Sequence, residues 1–215
     1  IMSDAPHFEV LDAEDDVAAR RLCSVEAVQA IMDRPPDAPT IEGRIDQTSA
    51  LLAKLAGLAG DAPTFAAEGC RATWYATNRY RGPDLLLPWR WPVTDVTVTE
   101  GGIELVLGVD YILDSSSLMR LCGDRPGCWS TGKIVADFTA GYDLPDAGPA
   151  DLAAACAEQV KHLVQQQDRD SNIRSETVPD VYTATYAVPG GDSVNRSGLL
   201  ANVESVVDQY RPVRV

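Results

Sequence analysis

The sequence predicts an α+β protein: a helical bundle with an inserted small antiparallel β domain and a C-terminal helical arm. Three observations carry that reading. Apolar residues recur at helical spacing early in the chain, again after Gly148, and again near the C-terminus. Between the first two of these stretches lie short alternating segments, spaced by Gly, Asp and Ser turns, too close together for parallel crossovers. The chain has 215 residues of which 45% are apolar, enough to bury a sizeable core. The expected division is an acidic N-terminal arm at 1–20, a helical bundle from 21–66 and 148–175, the inserted β domain at 67–147, and an extended segment with the C-terminal helix at 176–215.

Taken in order, the arm holds Pro6, Asp12 and the run Glu14-Asp15-Asp16, like charges that repel one another and hydrate. Ser24 can cap a helix whose spacing is set by Val25, Val28, Ile31 and Met32, ended by Pro35-Pro36. Thr40 can cap the next, with a stripe of Ile41, Ile45, Leu52, Leu55 and Ala59. Gly57, Gly60 and Pro63 stop it, so the pair reads as an αα-hairpin.

The β region opens at residues 71–76 (R-A-T-W-Y-A). Val96 and Val98 alternate with Thr97 and Thr99, Glu100-Gly101-Gly102 is a tight-turn signal, and Ile103, Leu105 and Leu107 alternate after it. Residues 111–113 and 118–121 form a second pair around Asp114-Ser115-Ser116-Ser117. Residues 133–139 give a last strand with Ile134, Ala136 and Phe138 inward. A small sandwich or curled sheet follows from this spacing.

Pro149 suits the first turn of a helix with the stripe Leu152, Cys156, Val160, Leu163 and Val164. A late extended segment at 180–187 carries Tyr182 and Tyr186 on one side, and Pro189-Gly190-Gly191 breaks it. The last helix, about 197–210, has an apolar face of Leu199, Leu200, Val203, Val206, Val207 and Tyr210, followed by a short basic-apolar tail from Arg211. That face either docks on the chain's own core or packs against a partner.

Composition excludes some classes. With 18 basic against 32 acidic residues and a net charge of −14, the chain lacks the Lys/Arg footprint of a protein that grips nucleic acid by neutralising phosphates. Such a charge is compatible with letting DNA slide past. No apolar run reaches the length of a transmembrane helix, and the acidic start lacks the basic region of a signal peptide. Five cysteines, an odd number without framework spacing, read as reduced thiols; Cys122 and Cys128 have no second Cys/His pair near them in sequence to complete a metal site.

Signals for chemistry are weak. His7 and His162 are the two histidines, neither with a catalytic constellation around it, and no nucleophile elbow, Walker A or dinucleotide fingerprint occurs. No catalytic residue, cofactor or metal is expected, and the chain is read as a non-enzyme. Trp89 and Trp91 flank Arg90 and either stack on a ligand such as a sugar or base, or seal an edge of the β core; the second reading is favoured.

The order of the parts resembles the head–tail connector (adaptor) proteins of long-tailed bacteriophages and gene transfer agents. The residues that carry the likeness are L-L-L-P-W-R-W-P-V, V-T-V-T-E-G-G-I-E-L, G-V-D-Y-I-L-D, a turn at Trp129 and K-I-V-A-D-F-T-A-G-Y. After them come P-A-D-L-A-A-A-C-A-E-Q-V-K-H-L, Q-D-R-D-S-N-I-R-S-E and a final helix with D-Q-Y-R. The likeness spans about residues 20–215, and its specificity lies in the order of the pieces. The long acidic stretch before Ser24 and the Cys122–Cys128 loop depart from it. The resemblance implies a structural virion neck protein that forms a homo-oligomeric ring of about a dozen subunits. The ring would join the portal protein to a stopper or tail-side protein, be assembled in the bacterial host cytoplasm, and continue the DNA channel without specific DNA binding and without a membrane. It implies portal binding by Leu199, Leu200, Val203, Val206, Val207, Tyr210 and Arg211, and subunit contacts at Trp89, Trp91, Tyr182 and Tyr186. The alternatives are a stopper or tail-completion protein of the neck, and a carbohydrate-binding module resting on Trp74, Trp89, Trp91 and Trp129.

Overall fold

A computed structural model of the chain describes residues 7–12, 16–58, 60–76, 84–86, 90, 92–114, 117–129, 132–145, 147–167, 175–178, 182–185 and 198–211. In chain order the elements are β1 (His7–Asp12), a single 3-10 turn (Ala18–Arg20), α1 (Val25–Ala30), α2 (Ala38–Ala56), β2 (Glu68–Ala76) and β3 (Asp84–Leu86). Next come β4 (Val93–Glu100), β5 (Ile103–Glu104), β6 (Tyr111–Asp114), β7 (Ser117–Cys122), β8 (Arg125–Pro126) and β9 (Gly132–Ala140). The chain then forms α3 (Ala150–Gln167), β10 (Ser175–Val178), β11 (Tyr182–Thr185) and α4 (Ala201–Gln209). These elements fall into two units: residues 1–20 with 57–147, which hold the five-stranded sheet and the sheet of β3, β6, β7 and β8, and residues 21–56 with 148–211, which hold α1 to α4 and the β10–β11 pair. Mixed helix and antiparallel sheet is the class the sequence predicts.

In the β unit, five strands form an antiparallel sheet in the order β1-β2-β9-β4-β5. A second sheet has the order β3-β7-β6, with β8 paired to β7. The two share one core. Cys70, Ala72 and Trp74 of β2, Ile134, Ala136, Phe138 and Ala140 of β9, and Val98 of β4 meet Tyr111, Leu118 and Trp129. The period-2 alternation of β9 puts Ile134, Ala136 and Phe138 inward, as its sequence predicts. Gly101 and Gly102 both have positive φ, at 58° and 86°, which is why a two-residue turn can join β4 to β5. Gly141 is required for another reason: a Cβ there would overlap the Ala66 carbonyl, where Ala66 and Tyr142 bridge.

Three local expectations meet different outcomes. The strand expected through Leu107 stops at Glu104, because the Asp110 carboxylate accepts the Val106 N–H at 2.9 Å and the Gly108 N–H is donated to the Tyr111 carbonyl at 2.7 Å, turning the chain. The acidic N-terminal stretch contributes an edge strand: Phe8 and Val10 take turns facing inward while His7 and Glu9 face solvent, so alternation is present within the charge. Residues 57–66 belong with the sheets, tied by Ala67 N–H to the Tyr142 carbonyl and Tyr142 N–H to the Phe65 carbonyl, each 2.8 Å.

In the helical unit, Ser24 caps α1 as expected, its side chain accepting the Ala27 N–H at 3.2 Å. The next helix starts two residues ahead of Thr40, whose hydroxyl instead donates to Asp37 at 2.6 Å. Ile41, Ile45, Leu52, Ala53 and Ala56 of α2 and Leu152, Cys156, Val160 and Val164 of α3 are buried, and the two helices pack together. The alanines of α3 (Ala155 and Ala157 are buried) permit that close approach. The segment 175–185 pairs with itself, as the β10–β11 hairpin.

Candidate assembly interface

The residues expected to meet a partner divide sharply. In α4 and the turn before it, Leu199, Val203 and Val207 are buried, packed within the helical unit where α4 lies against α3 and α2. Their spacing of four is one helical stripe, so one side of the helix is already covered by the chain itself. Leu200, Val206 and Tyr210 are half-buried and Arg211 is exposed. Of the two readings left open for this helix, docking on the chain's own core is met by the stripe of Leu199, Val203 and Val207.

Side chains of α3 fix α4 at both ends. Near its start, Gln159 uses both halves of its amide: Nε2 donates to the Gly198 carbonyl at 3.3 Å and Oε1 accepts the Leu200 N–H at 3.0 Å. Leu200 is the N-cap residue and makes no side-chain cap bond; Gln159 accepts its N–H from a neighbouring helix, the part that an N3 Glu or Gln plays in a capping box. Asn202 donates to Glu158 in the same region. Near its end, the Tyr210 hydroxyl donates to Asp151 Oδ1 at 2.6 Å. Residues 198–202 meet 158–159 and residue 210 meets 151, so α4 runs antiparallel to the first half of α3. Arg211 is held by Asp208 at 3.0 Å, an exposed pair. Gln159 was not singled out from the sequence. The available signal was a polar residue three positions after Cys156, on the apolar stripe itself.

Arg90, which stands between Trp89 and Trp91 in sequence, is buried. Arg90 and Glu68 form an ion pair with both side chains almost wholly buried, and Arg20 approaches Glu68 at 3.5 Å from the other side. Arg20, the more exposed of the two, and Arg90 both face one buried carboxylate at the start of β2. Burial also pushes the nearby Cys70 thiol up to about 11, with the Glu68 charge adding to the rise and Arg90 opposing it. Trp89, Trp91 and Tyr186 lie outside the described residues; Tyr182 is a residue of β11. Trp74 and Trp129 are buried in the β core, which removes two of the four residues on which a sugar platform would rest.

All five cysteines are thiols; Cys23, Cys70 and Cys156 are buried, and Cys122 and Cys128 are exposed. Among the described residues no group of three or more His, Cys, Asp or Glu is placed to hold a metal ion. Nor is any helix among them long and apolar enough to cross a membrane.

No protein-family model matches the sequence, and no curated protein matches it. Among solved structures, a chain in the neck of an empty gene transfer agent particle, computed with C6 symmetry, aligns over 97% of both chains at 18% identity with a TM-score of 0.51. The chain has the fold of a gene transfer agent neck protein. A chain in the virion of a native gene transfer agent particle aligns over 97% of this chain and 96% of its own, at 18% identity and a TM-score of 0.49. The resemblance drawn from the order of the motifs is therefore met by the fold, from one end of the chain to the other.

Proposed function

We propose that this chain is a structural subunit of a virion neck: a connector that forms a ring of about a dozen copies, joins the portal to the tail side and continues the DNA channel. The observation that carries the reading is the end-to-end match, 97% of both chains, with one protein of a gene transfer agent neck. A ring of about a dozen contains the sixfold symmetry with which that neck was computed. The net charge of −14 fits a lumen that repels phosphates, so that DNA passes without being held.

In this reading the portal is met by the partly or fully exposed residues Leu200, Val206 and Arg211 of the C-terminal segment, while Leu199, Val203, Val207 and the Tyr210 hydroxyl hold the helix on its own subunit. Trp89, Trp91, Tyr182 and Tyr186 serve contacts between subunits. The test is co-expression with a portal protein and a tail-side neck protein of a gene transfer agent, followed by affinity capture and electron-microscopy class averages. A ring of this chain bound to the portal is the expected result. Capture of the tail-side protein alone would make it a stopper, and capture of neither would overturn the neck reading. Val206→Ser with Arg211→Ser should weaken portal capture at least about tenfold while leaving the fold intact.

A further inference from the structure

We propose that Cys23 and Cys156 are a redox pair: when the chain meets a low-molecular-weight disulfide as oxidant, the two thiols join into one cross-link that bolts the approach to α1 onto the middle of α3. The inference is independent of the neck reading and concerns two thiols to which that reading gives no part.

Three elements of the helical unit bring the pair together. Cys23 directly precedes the Ser24 cap of α1, Ser49 lies on α2, and Cys156 lies on α3. The Leu22 N–H is donated to the Ser49 hydroxyl at 3.1 Å, which fixes the chain at the residue before Cys23. The same Ser49 Oγ stands 3.8 Å from Cys156 Sγ. One hydroxyl thus touches both sides of the pair, and α1 packs on α2 and α3 alike. The thiols themselves meet, Cys23 and Cys156 sharing a hydrogen bond. Cys23 is 3% exposed and Cys156 is 0% exposed, so they meet inside the core.

The two thiols are not equivalent. The hydrogen bond with Cys156 holds the Cys23 thiol below its ordinary range, against the opposing effect of burial. The same hydrogen bond and burial raise the Cys156 thiol well above that range, with Ser49 opposing the rise. Cys23 is therefore the first to ionise, and its thiolate accepts from the Cys156 S–H. Cys23 also has the shorter way to solvent: its neighbour Ser24 is exposed, and α1 beyond it has only six residues. A helix that short holds by packing rather than on its own, so its local opening is the route by which a reagent reaches Cys23.

The reaction balances as thiol–disulfide exchange. The Cys23 thiolate attacks one sulfur of the reagent. The reagent S–S bond breaks, and the thiolate that leaves takes up the Cys23 proton. Cys156 then gives up its proton, and its Sγ attacks the Cys23 sulfur of the mixed disulfide. The second reagent thiolate leaves and takes that proton. The two cysteines lose two electrons and two protons, and the reagent gains them and ends as two thiols. The effect on the fold follows from chain order. The helical unit is built from two stretches, 21–56 and 148–211, with Cys23 on one and Cys156 on the other. The cross-link closes a loop that contains the whole of 57–147, and a long closed loop restricts the unfolded chain more than a short one.

The experiment uses the full chain with Cys122→Ser and Cys128→Ser, which removes the two exposed thiols and leaves Cys23, Cys70 and Cys156. The folded protein is incubated with glutathione disulfide, free thiols are alkylated in urea, and the peptides are mapped by mass spectrometry beside a sample reduced with dithiothreitol. The expected result is a Cys23–Cys156 bridge with Cys70 alkylated. The oxidised sample should melt at least about 5 °C above the reduced one, and dithiothreitol should abolish the difference. Cys156→Ala in the same background should stop the reaction at a mixed disulfide of Cys23 with glutathione. Three alkylated thiols in the oxidised sample, a bridge that involves Cys70 or a second chain, or a bridge that brings no rise in Tm would each overturn the proposal. The comparison of oxidised with reduced samples of one chain decides the matter whether or not Cys156→Ala folds.

Discussion

The helical unit and the β unit manage their apolar surface in opposite ways. In the helical unit the stripe of α4 that looked like an unpartnered face is consumed by the chain: Leu199, Val203 and Val207 are buried, and Gln159 and Asp151 hold the helix at both ends. Only Ile31 and Leu51 are exposed large apolar residues there, both close to the boundary of half-burial, among the described residues. The β unit fills its core just as fully, yet keeps Ile103, Val106, Leu107 and Val109 in water on an ordered loop. Amphipathic periodicity therefore reveals where a helix is buried but does not say by whom. Exposed apolar residues on a hydrogen-bonded loop are the stronger sign of surface meant for another molecule.

That contrast can be broken or sharpened by substitution. The largest effect is expected inside the β unit. Arg90→Met removes the almost wholly buried partner of the Glu68 carboxylate and should cost about 4 kcal/mol in urea unfolding, whereas replacing an exposed ion-pair partner such as Arg211 should cost under about 1 kcal/mol. Next comes α4: Leu199→Ala should cost about 3 kcal/mol, and the neighbouring Val206→Ala under about 1 kcal/mol, since the first empties a filled site and the second trims a half-exposed one. Equal losses at the two positions would mean that α4 has no distinct inner and outer rows.

The smallest effect is a pH dependence. The folded-state pKa of Cys70 is raised to about 11, so folding favours its protonated form. Its contribution is fully present below the ordinary thiol pKa and is lost as pH rises from about 9 through 11. Cys70→Ala should flatten that alkaline arm of the unfolding midpoint without changing the arm below pH 8. The same burial should keep Cys70 slow towards a thiol reagent that modifies Cys122 and Cys128 at once.

Much of the architecture was legible because it rests on period. The alternation of β9, the Gly101-Gly102 turn, the Ser24 cap and the stripes of α2 and α3 are local patterns, and each is found where its residues call for it. What escaped is non-local. Glu68 and Arg90 stand 22 positions apart with nothing in their spacing to pair them, and β1 is hidden among acids because half of its residues face solvent. Asp110 shortened β5 through a side-chain hydrogen bond that competes with the strand ladder, which propensity alone does not register. The last helix was legible from its period, but not which of its six apolar residues the chain itself covers, since that depends on the contacts with α3 and α2.

The route of the chain between the two units has a consequence for biosynthesis. It passes from one unit to the other after Arg20, after Ala56 and after Ala147. Neither unit is a contiguous piece of the sequence: β1 must wait for β2 while α1 and α2 are made between them, and α2 must wait for α3 until the sheets have emerged. The closing of these long loops delays the reward of packing. Excision of residues 57–147 would strip β1 from its sheet, and a nascent chain stopped before Leu199 would leave α3 without its cover. Each unit therefore packs only after distant stretches of the chain have come together.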